Sequence, residues 1–164
     1  MKRYIQIVII SLIGVAICSV ILSTVLKKKE AQAKRDTFAL LNTENEKVTI
    51  DQQGSVILNF WATYCPPCER EMPALEAAYP SLQEKGIDLY AINVEEPTKL
   101  VNHYLSKFKL SFPILLDRDG DVKNHFHIMA LPTTLYIKNG EIVHTVKGEL
   151  TEEQLLHFAK LMEE

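Results

Sequence analysis

The hydrophobic pattern changes its period along the chain. From Tyr4 to Leu26 it has none: no charged residue interrupts the run, and every face of a helix built from it would be apolar. Phe38 to Ile50 alternates weakly around Asn42-Thr43-Glu44-Asn45, which predicts a short hairpin or an irregular lead-in. Val56–Trp61 (VILNFW), preceded by Gly54, is a short apolar run of the kind that forms a buried strand. From Pro66 to about Glu84 the period becomes helical, with Met72, Leu75, Ala78, Tyr79 and Leu82 on one face. Pro73 lies inside this helix and predicts a kink, because its ring removes a donor and crowds the preceding turn. Gly86 ends the segment.

Ile87–Val94 (IDLYAINV) reads as a second buried strand and Pro97 to about Phe108 as a second helix. Phe112–Leu116 and Thr133–Lys138 are further strands. Asn139-Gly140 is a two-residue hairpin signal leading into a strand over Ile142–Lys147. Thr151 to Gln154 has the capping-box pattern and opens a last helix through about Met162. The order is strand, helix, strand, helix, strand, short helix, hairpin and final helix. The βαβ alternation implies parallel pairing, and the terminal hairpin adds an antiparallel part. An α/β fold follows, with a central mixed β-sheet flanked by helices.

The first segment stands apart. A helix needs roughly 20 apolar residues to cross a bilayer, and Tyr4–Leu26 supplies them between Lys2-Arg3 and Lys27-Lys28-Lys29. Three readings compete: a transmembrane anchor, a signal peptide cleaved near Ala31-Gln32-Ala33, and a buried globular helix. The anchor fits the length; a signal peptide's apolar region runs only about 7–15 residues. The chain thus divides into an N-terminal membrane anchor or uncleaved signal over 1–26, a charged linker over 27–37 and one globular domain over 38–164. The positive-inside count places more Lys and Arg after the anchor than before it, which argues for a cytoplasmic domain, although long C-terminal domains translocate largely regardless of charge. Cys18, inside the apolar run, reads as a small membrane-facing hydrophobe.

Charge and cysteine content narrow the chemistry. The net charge of −3 lacks the basic excess of a nucleic-acid binder. Three cysteines, Cys18, Cys65 and Cys68, are too few for a disulfide scaffold, but two of them lie three positions apart. They fall where the first buried strand turns into the first helix. Pro66 at the first helical position sacrifices no hydrogen bond. Cys65 then sits at the N-cap, where unpaired N–H groups and the helix dipole favour its thiolate, the nucleophilic form. Cys68 follows one turn later and more deeply. This arrangement makes Cys65 the attacking thiol and Cys68 the resolving one, the two alternating with a Cys65–Cys68 disulfide. A zinc site needs a second ligand pair, and His103, His125, His127, His144 and His157 show no zinc-finger spacing, so neither metal nor cofactor is expected.

The stretch WATYCPPCEREMPALE, followed by IDLYAINVEE, FPILLDRDGDV and LPTTLYIKNGEIV, resembles the thioredoxin superfamily, and within it the ResA/TlpA/StoA-type membrane-anchored thiol–disulfide oxidoreductases. The resemblance runs from about Phe38 to the C-terminus. It implies a thioredoxin-like fold and a cis bond before Pro132 facing the cysteine pair; X-Pro is the one place where a cis bond costs only about 0.5–1 kcal/mol. It also implies that Trp61, Tyr64, Pro66, Pro67, Leu131 and Pro132 shape the partner-binding surface. Thioredoxins proper carry a buried Asp at the position of Asn59, and Asn cannot take a proton. In ResA-like proteins a Glu after the next strand lies near the cysteines. It matches Glu96, expected as a catalytic carboxyl exchanging a proton with Cys68, with Glu95 as the neighbour that could turn inward instead and a helix cap at Pro97 as the bland alternative.

The likeness further implies an extracytoplasmic domain on a single-pass anchor in the cell membrane. It would be a reductase that takes electrons from a membrane thiol carrier and passes them to selected protein disulfides, those of apocytochrome c or of envelope and spore proteins. A disulfide-forming oxidase is the nearest alternative. A thiol peroxidase of related fold is another, but the Pro-x-x-x-Thr-x-x-Cys pattern is missing before Cys65.

Overall fold

The structure, a computed structural model, describes residues 3, 14, 16–27 and 37–163. It divides into two units, Met1–Asp36 and Thr37–Glu164. In the first, residues 16–27 are helical, and Ile17, Val20, Ile21, Leu22, Val25 and Leu26 are exposed. Among the described residues no helix is long and apolar enough to cross a membrane. Much of the expected anchor over 1–26, and nearly all of the linker over 27–37, lies outside the described residues.

The second unit is a seven-stranded mixed sheet with helices packed against it, a thioredoxin-like α/β fold. Its strands are β1 (Thr37–Asn42), β2 (Lys47–Asp51), β3 (Ser55–Trp61), β4 (Ile87–Val94), β5 (Ile114–Asp117), β6 (Thr133–Lys138) and β7 (Glu141–Lys147). Its helices are α1 (Pro66–Glu84), α2 (Thr98–Leu105), α3 (Asp121–His125) and α4 (Glu152–Ala159), the last running into a 3₁₀ turn over Lys160–Met162. The sheet order is β2-β1-β5-β4-β3-β6-β7. Strands β3, β4 and β5 pair in parallel, as helical crossovers require, and the β1–β2 and β6–β7 hairpins close the two edges antiparallel. β3 lies inside the sheet between β4 and β6; after Ser55 every residue in it is buried, which is why its sequence reads as an unbroken apolar run.

Local chemistry explains the boundaries. The tip of the first hairpin is tied by Asn42, whose Oδ1 accepts from the Glu44 and Glu46 amides at 3.0 and 2.8 Å. Asn139 and Gly140 both have positive φ, the geometry of a two-residue hairpin turn. Thr151 and Gln154 form the capping box of α4. Helix α1 continues through both Pro73 and Pro80. Two boundaries differ from the sequence expectation. Helix α2 ends at Leu105 rather than near Phe108, since the chain tightens into turns that bring the Phe108 ring to 5.5 Å from Tyr104. β5 begins at Ile114 rather than Phe112, because Pro113 has no N–H for the ladder and contributes only its carbonyl, to Ala91 N at 3.0 Å.

Candidate active site

The end of β3 and the start of α1 place two sulfurs together. Cys65 is the N-cap residue, in extended conformation, with Pro66 and Pro67 as the first two helical residues. Its Sγ accepts the Cys68 N–H at 3.3 Å, so the sulfur occupies the position in which a Ser or Asp oxygen would cap a helix. Cys65 and Cys68 are joined as a disulfide. Cys68 is fully buried, whereas Cys65 keeps 7% of its surface. The difference decides which sulfur a partner can reach.

Cys65 opens into a cavity of about 420 Å³ whose walls include Tyr64, Pro66, Pro67, Met129 and Leu131. Tyr64 is two-thirds exposed and Met129 is 90% exposed. Grouped around one cavity with Leu131, they make an exposed apolar patch of the kind that meets a partner. Trp61 and Pro132 do not line this cavity. Trp61 is fully buried against Tyr104, with ring centroids 5.6 Å apart. Pro132 is buried after a cis Leu131–Pro132 bond, and its carbonyl accepts the Gly148 N–H at 2.9 Å.

Glu96 is buried, and its carboxylate receives three donors: Thr63 N at 2.7 Å, Thr63 Oγ1 at 2.6 Å and Asn93 Nδ2 at 2.7 Å. Thr63 lies two positions before Cys65, so Glu96 fastens the turn that presents the nucleophile. It makes no side-chain cap on α2, whose N-cap is Pro97. Glu95 points the other way: it is exposed, has a φ of 56° and pairs with Lys123 Nζ at 2.8 Å. Gly120 makes this possible, because a Cβ there would stand 2.6 Å from Glu95 Oε1.

One residue was missed by the sequence reading. Glu71 follows Cys68 by three positions on α1, the spacing of neighbours on one helix face, and is 1% exposed. Its Oε1 accepts from Asn59 Nδ2 at 2.8 Å and its Oε2 from Leu150 N at 3.1 Å. Asn59 also donates to Thr134 Oγ1 at 3.0 Å. Burial pushes the Glu71 carboxyl up to about 7, with the charge of Glu149 adding to the rise. The available signal was a carboxylate in register with Met72 and Leu75 on an otherwise apolar face. Asn59, which cannot carry a proton, thus stands beside a group that can. Among the described residues no group of three or more His, Cys, Asp or Glu is placed to hold a metal ion.

Residues 31–145 match the model of the AhpC/TSA family. The chain is 41% identical over 128 residues to the thiol-disulfide oxidoreductase ResA of Halalkalibacterium halodurans, covering 76% of this chain and 73% of that protein. It is 38% identical over 154 residues to the ResA of Geobacillus thermodenitrificans, covering 90% and 88%. Among solved structures, StoA from Bacillus subtilis superposes with a TM-score of 0.67 at 31% identity, covering 74% of this chain and 95% of that one.

Proposed function

Since this chain belongs to the AhpC/TSA family and is a thiol–disulfide oxidoreductase, we propose that it reduces selected protein disulfides outside the cytoplasm while its first segment holds it to the membrane. The observation that carries the reading is the sulfur pair itself, one member capping a helix and touching solvent, the other sealed a turn behind it.

In the reduced protein, the α1 N-terminus and the Cys68 N–H favour Cys65 as the thiolate. That thiolate attacks one sulfur of a partner disulfide. The partner S–S bond breaks, a mixed disulfide forms, and the departing partner sulfur takes a proton. Cys68, as thiolate, then attacks Cys65 Sγ, closing the Cys65–Cys68 bond and releasing the second partner thiol. Two electrons pass to the partner, and a dithiol donor must restore the pair; a membrane thiol carrier is the donor we assign. Apocytochrome c and envelope or spore proteins are the candidate partners.

Glu71, one turn from Cys68 and titrating near neutrality, is suited to take the Cys68 proton as that thiol becomes the attacking group. The proton exchange expected of Glu96 passes in this reading to Glu71, and Glu96 holds Thr63 and the turn before Cys65. Tyr64, Pro66, Pro67, Met129 and Leu131 receive the partner chain, with Pro132 and Trp61 supporting them from behind.

One feature supports the membrane placement: Tyr4–Leu26 carries no charged residue over a length that can span a bilayer. Trapping in cells tests the whole reading. Cys68→Ser should accumulate partners as mixed disulfides on Cys65, and Cys65→Ser should capture none and lose exchange activity. The identity of the captured proteins reports the compartment; capture of cytoplasmic proteins alone overturns the placement, and no capture overturns the resolving role.

A further inference from the structure

A three-residue segment joins the proton site to the partner-binding edge. Gly148 N–H donates to the Pro132 carbonyl at 2.9 Å, and Leu150 N–H donates to Glu71 Oε2 at 3.1 Å. Between them, Glu149 pairs with Arg70 of α1 at 2.7 Å. Gly148 has a φ of 109°, a backbone state that other residues rarely adopt. The segment is short, since three residues span at most about 10 Å when fully extended. It has little slack in which to absorb a movement at either end.

We propose that Gly148–Leu150 is a positioning element that transmits the ionisation of Glu71 to the Pro132 backbone, and so sets how well ordered the partner-binding edge is. The inference rests on the partner disulfide entering beside Leu131–Pro132, as proposed above. A carboxylate accepts a hydrogen bond roughly twice as strongly as a neutral group. Ionised Glu71 therefore grips Leu150 N–H and draws the segment taut, while protonated Glu71 loosens it. An edge held in its binding geometry before the partner arrives binds more tightly.

The groups facing Glu71 are few. Asn59 comes from β3; Glu149, paired with Arg70, and the Leu150 amide come from the segment. From β6 comes Tyr136, fully buried, its hydroxyl without a hydrogen-bond partner among the described residues. A histidine on that side is His144, its ring tilted against Tyr136 at 5.9 Å and stacked on Phe158. Desolvation pushes the Glu71 carboxyl up to about 7.

The oxidised protein offers a clean test, because its disulfide-bonded cysteines do not titrate. Amide nitrogen–proton shifts are followed against pH in the 37–164 unit within the full chain, solubilised in detergent. In the wild type, the Leu150, Gly148 and Thr133 amides should move together through one transition near neutrality. In Glu71→Gln that shared transition should vanish, which also removes His144 as its source. A Leu150 amide that titrates while Gly148 and Thr133 stay fixed overturns the link, yet leaves thiol exchange and the Glu71 role standing. Shifts that persist in Glu71→Gln overturn it as well. With insulin as the disulfide probe, the wild-type KM should fall roughly two- to fivefold as pH rises through the transition, and the Glu71→Gln KM should stay flat. A flat wild-type KM sinks the functional half of the proposal, whereas an absence of any insulin reduction strikes the oxidoreductase reading itself.

Discussion

Asn59 Nδ2 lies 2.8 Å from Glu71 Oε1, in a part of the protein closed to solvent on both sides. The contact ties β3 to the helix whose start holds the cysteine pair. Burial there deprives the Glu71 charge of water and raises its proton affinity, while the hydrogen bonds from Asn59 and Leu150 partly offset the rise.

Glu71→Gln should therefore change how stability depends on pH, with a definite sign. Folding raises the Glu71 pKa, so the folded chain binds this proton more tightly than the unfolded one. Stability should fall as pH rises from the ordinary glutamate range through about 7. Glutamine, neutral throughout, escapes the loss. Denaturant titration should show wild type losing on the order of 1–3 kcal/mol relative to Glu71→Gln as pH rises from acid through neutrality, on top of a pH-independent cost in the variant, whose amide leaves one of the Asn59 and Leu150 donors without an acceptor. Disulfide exchange in the same variant should slow by roughly a hundredfold near neutrality if the carboxyl carries a proton to or from Cys68.

Glu96→Gln should behave differently. Three donors converge on the carboxylate, and an amide offers one oxygen and one nitrogen in its place, so at least one of the Thr63 and Asn93 donors loses its partner. A loss of about 1–3 kcal/mol is expected by thermal or chemical unfolding. The pH profile of exchange should keep its midpoint. A shifted midpoint would return the proton-exchange role to Glu96.

Gly120, in the turn before α3, makes room for the outward-turned Glu95 side chain. Its φ of 73° and the 2.6 Å approach of Glu95 Oε1 to the place of a Cβ leave no comfortable position for a methyl group. Gly120→Ala should cost about 1–2 kcal/mol and break the Glu95–Lys123 pair. Unfolding curves measure the first effect. A crystal structure in which Glu95 and Lys123 stay paired would contradict the second.

Met129 tests the partner surface without touching the chemistry. Met129→Asp should raise KM for a protein disulfide by roughly five- to tenfold through lost apolar contact and should leave kcat nearly unchanged. Equal loss in kcat would mean that the loop before Pro132 aligns the reacting sulfurs rather than gripping the partner.

Much of this protein was legible as a string of residues. The short apolar runs of β3 and β4, the period of 3.6 in α1, the Asn139-Gly140 turn and the Thr151 capping box are local patterns with local causes, and each element formed where its pattern lay. The cysteine pair was equally local, because three positions at the start of a helix fix both its spacing and its unequal exposure. Tertiary structure decided the rest. Which of Glu95 and Glu96 turned inward depended on Thr63, 33 positions away in sequence, on the nearby Asn93 side chain, and on the bare backbone of Gly120. The acidity of Glu71 depended on β3 and on the segment before α4 closing over it, since desolvation has no counterpart in a linear sequence.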